Sequence, residues 1–286
     1  MNILVLGVTG MLGSAVFNYF STNSSHHVYG TLRSDAGRRH FPSVPAERLL
    51  SGIDVLDHDS LTAAFAAAKP DVVVNCVGLI KQLADAKNPL TALPINAMLP
   101  HRLAALCKVA GARLVHVSTD CVFSGDKGLY REEDVSDCTD LYGKSKYIGE
   151  LHDLPHAVTL RTSIIGHELG SNASLVDWFL SQNGKVKGFT KAIFSGLPTA
   201  ELARVMLDYV IPNTELKGLY HVSVAPIDKF TLLKEVADVY QKEIAIMPDD
   251  QLVIDRSLDS SKFQEAVGYV PPSWRELIEF MHSQRL

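Results

Sequence analysis

The sequence predicts an α/β protein in which a doubly wound parallel sheet is joined to a smaller C-terminal α/β lobe. Short, continuously apolar segments alternate with helical segments over the first half, which is typical of βαβ units whose strands are covered on both faces. Gly7, Gly10 and Gly13 fall between the first apolar segment and the first helical one. The alternation ends after Gly166, where a less regular region with its own helices begins.

Each strand of the first half is predicted from an apolar run, and each helix from a longer segment with one apolar face. We predict strands at 2–7, 27–32, 71–78, 113–120 and 157–165. We predict helices at 11–20, 60–69 and 98–111, and a further helix from residue 142. Ser60 is expected to be the N-cap residue of the second helix and Gly111 the C′ residue of the third.

The glycine turn at the first strand–helix junction predicts a dinucleotide site. In such a turn the first glycine allows a tight bend, the second lets the backbone approach a pyrophosphate, and the third lets the helix pack on the sheet. We therefore expect Gly7, Gly10 and Gly13, with Thr9, Met11 and Leu12 between them, to bind NAD(P). The alternative is that the glycines serve only the turn.

The same reasoning divides the chain into two parts. Residues 1–165 are predicted to form a Rossmann-type NAD(P)-binding domain, to which a segment near 200–223 returns. Residues 166–286 are predicted to be mainly a substrate-binding lobe, with helices at 200–211, 228–243 and 271–284 and a short strand at 218–224.

Composition excludes several classes of protein. A net charge of −5 over 286 residues argues against a general nucleic-acid binder. Cys76, Cys107, Cys121 and Cys138 are widely spaced and contain no C-x-x-C pair, which favours reduced thiols over a zinc site or a disulfide framework. No apolar run approaches the ~20 residues that a membrane span needs. We predict a cytoplasmic protein without a metal site, a membrane segment or a nucleic-acid partner.

The residues after the second strand bear on the choice of cofactor. NAD-selective sites usually carry an acidic residue there, whereas this chain has Arg33 followed by Ser34, a pair that suits a 2′-phosphate. We therefore predict NADPH, with NADH as the alternative. Arg38 and Arg39 are interpreted as residues of a solvated loop. Asp54, with Val55, is expected at the adenine edge, although a surface turn is the alternative interpretation.

Tyr142 and Lys146 are four residues apart and share one face of the predicted helix. A phenol with a pKa near 10 is a poor acid–base group at neutral pH, and a nearby ammonium group, together with the positive charge of oxidised nicotinamide, would lower that pKa. Thr119, at the end of a strand, could hold the substrate oxygen. Together these residues predict a carbonyl–alcohol oxidoreductase site.

These segments resemble an extended short-chain dehydrogenase/reductase of the dTDP-4-dehydrorhamnose reductase branch. The resemblance rests on "STDCVFSG" at 118–125, "LYGKSKYIGE" at 141–150, "NCVG" at 75–78, the segment around Asn96, "LRTSIIG" at 160–166 and "DRSLDSSKF" at 255–263. It implies a catalytic triad of Thr119, Tyr142 and Lys146, with Lys146 also bonding the nicotinamide ribose. The implied substrate is a nucleotide-linked 4-keto-6-deoxy sugar.

The resemblance also assigns further contacts. Cys76, Val77 and Gly78 join the cofactor set, together with Tyr142 and Lys146. The predicted substrate contacts are Ser118, Thr119, Asp120, Cys121 and Arg256.

One position separates reductases from dehydratases. Related 4,6-dehydratases need an additional Glu close after the catalytic Thr, and Cys121 cannot replace it as a proton shuttle. Cys121 also stands where the reductases usually carry Tyr. The reduction itself needs one proton donor, Tyr142, and a hydride from the cofactor. We therefore predict reduction rather than dehydration.

Two other functions stay open at this point. A nucleotide-sugar epimerase would retain its cofactor and show no net redox change, and a regulatory subunit resembling the methionine adenosyltransferase beta subunit would bind a partner without turnover. A homodimer is also left open.

Several single residues have two interpretations. Asn96 is either a helix-disrupting residue that holds a water near the Lys, as the resemblance implies, or a plain capping residue. Lys81 is interpreted as a surface residue, with a substrate contact as the alternative. Trp178 and Phe179 are expected to pack in the core rather than to stack on a base. Lys262 is predicted, with Arg256, to meet a diphosphate.

Overall fold

The computed structural model describes residues 1–79 and 87–285, so Lys81 lies outside the described residues. The strands are β1 (Asn2–Leu6), β2 (His27–Thr31), β3 (Leu49–Leu50), β4 (Val72–Asn75), β5 (Arg113–Thr119), β6 (Ala157–Thr162), β7 (Ile164–Ile165), β8 (Lys185–Phe189), β9 (Ala192–Phe194), β10 (Leu197–Pro198), β11 (Gly218–His221), β12 (Ile227–Asp228), β13 (Ala245–Asp249) and β14 (Ile254–Asp255). The helices are α1 (Met11–Asn23), α2 (His58–Ala68), α3 (Pro89–Ala92), α4 (Leu99–Ala110), α5 (Leu141–Ile148), α6 (Leu175–Ser181), α7 (Thr199–Val205), α8 (Lys229–Val239), α9 (Ser261–Val267) and α10 (Trp274–Ser283).

Within the described residues, a large sheet has the strand order β11-β6-β5-β4-β1-β2-β3, and all of its neighbouring pairs are parallel. Alternate side chains of β1 point to opposite faces: Val5 joins the core with Phe17 of α1, and Leu4 joins the core with Phe65 and Leu103 of α2 and α4. Because both faces are covered, the strands are continuously apolar, as predicted. The doubly wound α/β fold is confirmed.

The smaller lobe is built from short pairs of strands and three helices. β8 pairs with β13, β10 with β7, and β9 lies between β12 and β14. Phe179 of α6 and Leu232 of α8 belong to the core of this lobe, whereas the neighbouring Trp178 is 38% exposed. The predicted core role is therefore correct for Phe179 and wrong for Trp178, because the two side chains leave a short helix in different directions. The boundary at residue 165 stays a prediction.

Two helix boundaries test the sequence reasoning. Gly111 ends α4 with φ 70°, so the predicted C′ glycine is confirmed. Ser60 is not the N-cap residue of α2, because the carboxylate of Asp57 accepts hydrogen bonds from the amides of Asp59 and Ser60 and the helix begins at His58. None of the helices in the described part of the chain combines the length and apolar character required of a membrane span.

The helical region before α4 is irregular. A π-type wide turn, Leu93–Met98, connects α3 to α4. Pro94 lies inside this region and has no amide hydrogen to donate to the preceding turn, which accounts for the departure from regular α-helix. Asn96 is therefore held in a widened turn rather than at a helix cap.

Candidate functional site

The candidate site lies at the carboxyl edge of the large sheet. The strand order reverses between β1 and β4, and α/β sheets bind ligands in the crevice at such a reversal. A cavity of about 530 Å³ opens there. Its walls come from the glycine turn after β1, the segment after β4, the end of β5 and the start of α5. Residues of the smaller lobe also line it.

The glycine turn has the geometry that a pyrophosphate needs. Gly7 has φ 81°, a left-handed conformation that favours glycine. A Cβ on Gly13 would lie 2.1 Å from the carbonyl oxygen of Gly7, so only glycine allows α1 to start this close to the strand. A Cβ on Gly10 would lie 3.4 Å from the same oxygen, which is an ordinary contact. Gly10 lines the cavity, and its lack of a side chain leaves space there. Met11 and Leu12 also line the cavity.

The segment after β2 lies over the glycine turn. A Cβ on Gly37 would be 2.9 Å from the methyl group of Thr9, so the 3₁₀ segment Asp35–His40 packs against it. Arg33 is exposed at the end of β2 and precedes this segment. Arg38 instead donates to the carboxylate of Asp35 and to the carbonyl oxygens of Ala46 and Leu49. These hydrogen bonds hold the loop together, so Arg38 has a structural role beyond lying on a solvated loop. Arg39 is exposed.

The predicted adenine-edge residues lie beside β3. Asp54 is exposed, and its carboxylate accepts a hydrogen bond from the amide of Leu56. This is the turn contact that the alternative interpretation expected. Because Asp54 is exposed and has a second carboxylate oxygen, it can still meet a cofactor, and that role stays a prediction. Val55 is buried in the core beneath the turn.

The segment after β4 presents Cys76, Val77 and Gly78 to the cavity. Asn75 fixes its start: its amide oxygen accepts from the amide of Val77 at 3.1 Å, and its amide nitrogen lies 3.1 Å from Nδ1 of His116. Burial raises the pKa of the Cys76 thiol to about 12, so this cysteine stays neutral. The sequence reasoning missed the paired Asn75 and His116, whose adjacency follows from the parallel register of β4 and β5.

Thr119, at the end of β5, lies against the first turn of α5. Its hydroxyl donates to the carboxylate of Asp120 and accepts from the amide of Cys121, both at 3.1 Å. A Cβ on Gly143 would lie 2.3 Å from the carbonyl oxygen of Cys121, so Gly143 lets α5 pack directly on this turn. Tyr142, at the start of α5, consequently lines the same cavity as Thr119.

Tyr142 is partly buried, and burial raises the pKa of its phenol, with the neighbouring Cys121 and Asp120 adding to the effect and the Thr119 hydrogen bond opposing it. Without the cofactor, the prediction that Lys146 lowers the pKa of Tyr142 is wrong. The ammonium group of Lys146 donates to the carbonyl oxygen of Val117 at 2.8 Å, and desolvation is the largest influence on the Tyr142 pKa. A phenol with a raised pKa stays protonated, which is the state of a proton donor.

Lys146 is buried and lines the cavity. Desolvation lowers its pKa to about 8, and the Glu150 carboxylate opposes that shift. Asn96 lies beside it: its amide oxygen accepts from the amide of Leu79 at 2.9 Å and its amide nitrogen donates to the hydroxyl of Ser145 at 3.2 Å. Asn96 therefore joins the segment after β4 to α5, and its water-holding role stays a prediction.

A buried ionic network supports the site from behind, and the sequence reasoning missed it. Arg161 donates to both carboxylate oxygens of Glu150, at 2.9 and 2.6 Å, and to Nε2 of His221 at 2.9 Å. The Ser118 hydroxyl donates to the same carboxylate at 2.6 Å, so this hydroxyl is directed at Glu150. Glu150 and Arg161 belong to motifs that indicate the resemblance, but their pairing joins the turn after α5 to β6 and so depends on the folded chain.

The small lobe contributes Arg256, which borders the cavity near Cys121. Its Nε donates to the carbonyl oxygen of Phe123 at 2.8 Å, and its Nη1 lies 3.9 Å from the sulfur of Cys121. Lys262 instead donates to the carbonyl oxygen of Leu219 at 2.9 Å and lies over a Tyr ring of β11. The predicted diphosphate contact therefore fits Arg256 and is wrong for Lys262, whose amine secures α9 to the large sheet.

Comparison with known proteins agrees with this geometry. The model of the RmlD substrate binding domain matches residues 1–285. The methionine adenosyltransferase 2 subunit beta of Danio rerio is 28% identical over 251 residues, which is 83% of this chain and 73% of the relative. The dTDP-4-dehydrorhamnose reductase of Aggregatibacter actinomycetemcomitans is 24% identical over 301 residues, which is 97% of both chains.

Solved structures share the fold over nearly the whole chain. The dTDP-4-dehydrorhamnose reductase of Bacillus anthracis in complex with NADP aligns with a TM-score of 0.79 and 22% identity, over 99% of this chain and 98% of that one. The Bordetella bronchiseptica enzyme WbmG in complex with NAD and UDP aligns with a TM-score of 0.77 and 20% identity, over 99% and 94%. The chain therefore belongs to the RmlD substrate binding domain family, and its predicted resemblance to the dTDP-4-dehydrorhamnose reductase branch is confirmed.

Proposed function

We propose that the protein reduces the 4-keto group of a nucleotide-linked 6-deoxy sugar with NADPH. The observation that carries this proposal is the convergence of Thr119, Tyr142 and Lys146 on one cavity, bordered by a glycine turn that accommodates a pyrophosphate. Family membership supports it, because a relative aligned over nearly the full length is a dTDP-4-dehydrorhamnose reductase.

The cofactor assignment is supported by the chain's own residues. Gly10, Met11 and Leu12 would hold the pyrophosphate, and Cys76 to Gly78 would border the nicotinamide half. Arg33, exposed beyond β2, would meet a 2′-phosphate. When bound, the reduced nicotinamide supplies a hydride. The solved relatives hold NADP in one case and NAD in another, so NADH is the alternative that affinity measurements should compare.

The protein residues would handle the proton and the orientation of the substrate. Tyr142 keeps its proton because burial raises its pKa, and it donates that proton to the carbonyl oxygen as hydride reaches the carbonyl carbon. Thr119 hydrogen-bonds to the same oxygen. Lys146 stabilises the phenolate left on Tyr142 through its charge. Val117 and Ile164 contribute to the apolar part of the cavity lining.

The substrate assignment is supported by the cavity's far wall. Arg256, a cation of the small lobe, lies beside Cys121 at the cavity, where it would bind a diphosphate oxygen. A structural relative holds UDP as well as NAD. Cys121 stands beside Thr119 in the position where a dehydratase needs its additional acid. Reduction therefore fits these residues better than dehydration.

The decisive experiment incubates the purified chain with NADPH and dTDP- or UDP-linked 4-keto-6-deoxy sugars and follows the loss of NADPH. Tyr142→Phe should lower turnover by about 10²–10⁴-fold. Tyr147→Phe is the matched control, because Tyr147 is exposed on the same helix. Undiminished turnover in Tyr142→Phe would remove the role assigned to Tyr142. An epimerase would instead convert sugars with no net NADPH loss.

A second candidate is a regulatory subunit, favoured by the 28% identity to methionine adenosyltransferase 2 subunit beta. Its test is capture of a methionine adenosyltransferase by the purified chain, together with a change in that enzyme's kinetics. Binding without turnover of any keto sugar would favour this candidate over the reductase. The homodimer and the cytoplasmic location also stay proposals, to be checked by light scattering and by cell fractionation.

A further inference from the structure

The hydroxyl of Thr119 is the centre of a small hydrogen-bond chain. It donates to Oδ1 of Asp120 and accepts from the amide of Cys121, both at 3.1 Å, and Tyr142 lines the same cavity. A hydroxyl group has one hydrogen and two lone pairs. When Asp120 is ionised, the Thr119 hydrogen goes to the carboxylate and the second lone pair can accept the Tyr142 hydrogen. In that arrangement neither hydroxyl hydrogen points at a substrate oxygen.

Protonation of Asp120 reverses the direction of this chain. The carboxylic acid donates to Thr119, so both Thr119 lone pairs are filled, by Asp120 and by the Cys121 amide. The Thr119 hydrogen is then released toward the cavity, and Thr119 has no lone pair left for the Tyr142 hydrogen. Both hydrogens become available to a single oxygen placed between the two hydroxyls.

Burial shifts the titration of Asp120 toward the protonated form. Asp120 is 8% exposed and lines the cavity. Burial raises its pKa, while the charge of Arg256 and hydrogen bonds from Thr119, Cys121 and Ser163 oppose that rise. Arg256 follows β14, Ser163 follows β6, Thr119 and Cys121 flank Asp120 in its own turn, and Tyr142 of α5 lines the same cavity. A ligand that fills the cavity would remove further water from the carboxyl group.

We propose that Asp120 is a positioning residue whose protonated form directs the hydroxyl hydrogens of Thr119 and Tyr142 at the substrate carbonyl oxygen. This inference rests on the proposed carbonyl reduction. Asp120 keeps its proton through the cycle: hydride adds to the carbonyl carbon, the Tyr142 proton adds to the oxygen, and Asp120 acts only through Thr119. Activity should therefore fall as Asp120 ionises with rising pH.

The kinetic test uses Asp120→Asn and Asp120→Ala. The Asn amide is neutral at every pH and can donate to Thr119, so kcat should stay within about threefold of wild type and the pH limb of Asp120 should disappear. The Ala variant lacks the donor and should lose about 10–100-fold in kcat. Asp137→Asn is the matched control: Asp137 is also influenced by Arg256, but it bonds Ser124. A separate limb near the Lys146 pKa of about 8 should remain in all variants.

Two kinetic outcomes would overturn the inference. One is a wild-type Asp120 limb that persists in Asp120→Asn. The other is an Asp120→Asn protein that is folded by circular dichroism, binds NADPH, and is as slow as Asp120→Ala.

An infrared measurement separates this inference from the proposed function. The carbonyl stretch of a protonated carboxylic acid is followed with pH in the full chain with NADPH bound, as the difference between wild type and Asp120→Asn. A carboxylic acid stretch of Asp120 that is still present at the pH of the activity measurement supports the inference, and its absence at that pH overturns the inference. A wild-type protein that reduces no keto sugar would overturn the proposed function, while the infrared stretch would still decide the state of Asp120.

Discussion

The ammonium nitrogen of Lys146 lies 2.8 Å from the carbonyl oxygen of Val117, so a buried cation of α5 is hydrogen-bonded to the backbone of β5. This contact joins the helix that carries Tyr142 to the strand that carries Thr119. Because burial lowers the pKa of Lys146 to about 8, the joining group loses its proton only slightly above neutral pH. Protonation of Lys146 is therefore coupled to folding as well as to chemistry.

The first prediction concerns stability at alkaline pH. Between about 8 and the ordinary Lys value of 10.5, the unfolded chain binds more protons at this position than the folded chain does. The Lys146 contribution to the free energy of unfolding should therefore rise with pH across this window, by up to about 1.4 kcal/mol per pH unit. Denaturant unfolding at several pH values should show the rise in wild type and in Lys144→Met, whose Lys is exposed, and not in Lys146→Met.

The second prediction separates the two glycines of the turn. Gly13→Ala places a Cβ 2.1 Å from a backbone oxygen, so it should lower the free energy of unfolding by at least about 1–3 kcal/mol. Gly10→Ala makes only an ordinary contact in the free protein and should change stability little, yet it should weaken NADPH binding because the Cβ faces the cavity. Thermal unfolding and calorimetric titration give the two readouts. Equal stability losses in both variants would contradict this assignment.

The third prediction tests the cofactor preference at the end of β2. Arg33→Ala should weaken NADPH binding about tenfold or more, because a charge-assisted hydrogen bond contributes about 1.5–3 kcal/mol. NADH binding should be unchanged, since NADH lacks the 2′-phosphate. Arg39→Ala, another exposed arginine of the same segment, should leave both dissociation constants unaltered. An equal loss for both cofactors would argue against a phosphate contact at Arg33.

The fourth prediction concerns the ionic network behind the site. Arg161→Met leaves the Glu150 carboxylate buried without its bidentate partner and should lower the free energy of unfolding by about 3–5 kcal/mol. Arg131→Met breaks an exposed ion pair with Asp259, at 3.2 Å, and should cost about 0–1 kcal/mol. Denaturant unfolding measures both losses. A small loss in Arg161→Met would show that the buried pair is not a structural support.

Local sequence patterns predict the features whose cause is local. The apolar strands and the glycine turn follow from composition and spacing within a few residues, and the fold and the glycine positions agree with the structure. Tyr142 and Lys146 were paired by helical periodicity, and they do lie on one helix beside Thr119. The end of α4 at Gly111 requires one residue in the left-handed conformation, and a glycine in the sequence indicates where that conformation is allowed.

Features that depend on distant contacts were missed or misassigned. Lys262 is next to a motif that suggested a diphosphate, but its amine is used by β11, which is about forty positions earlier in the chain. The spacing of Tyr142 and Lys146 predicts a lowered phenol pKa with the cofactor bound, whereas among the protein groups alone burial dominates and raises it. Cavities, burial and pairing across strands arise only when the chain is folded.

The pairing of β11 in the large sheet predicts how a truncated chain would behave. β11 pairs with β6 along its whole length, and Arg113 of β5 donates to the carbonyl oxygens of Val210 and Leu216 just before β11 begins. A fragment ending at residue 165 would lack these partners and would expose β6, all of whose residues are buried in the full chain, as an apolar edge. Unpaired apolar edges recruit other strands, so such a fragment would aggregate rather than behave as an independent nucleotide-binding domain.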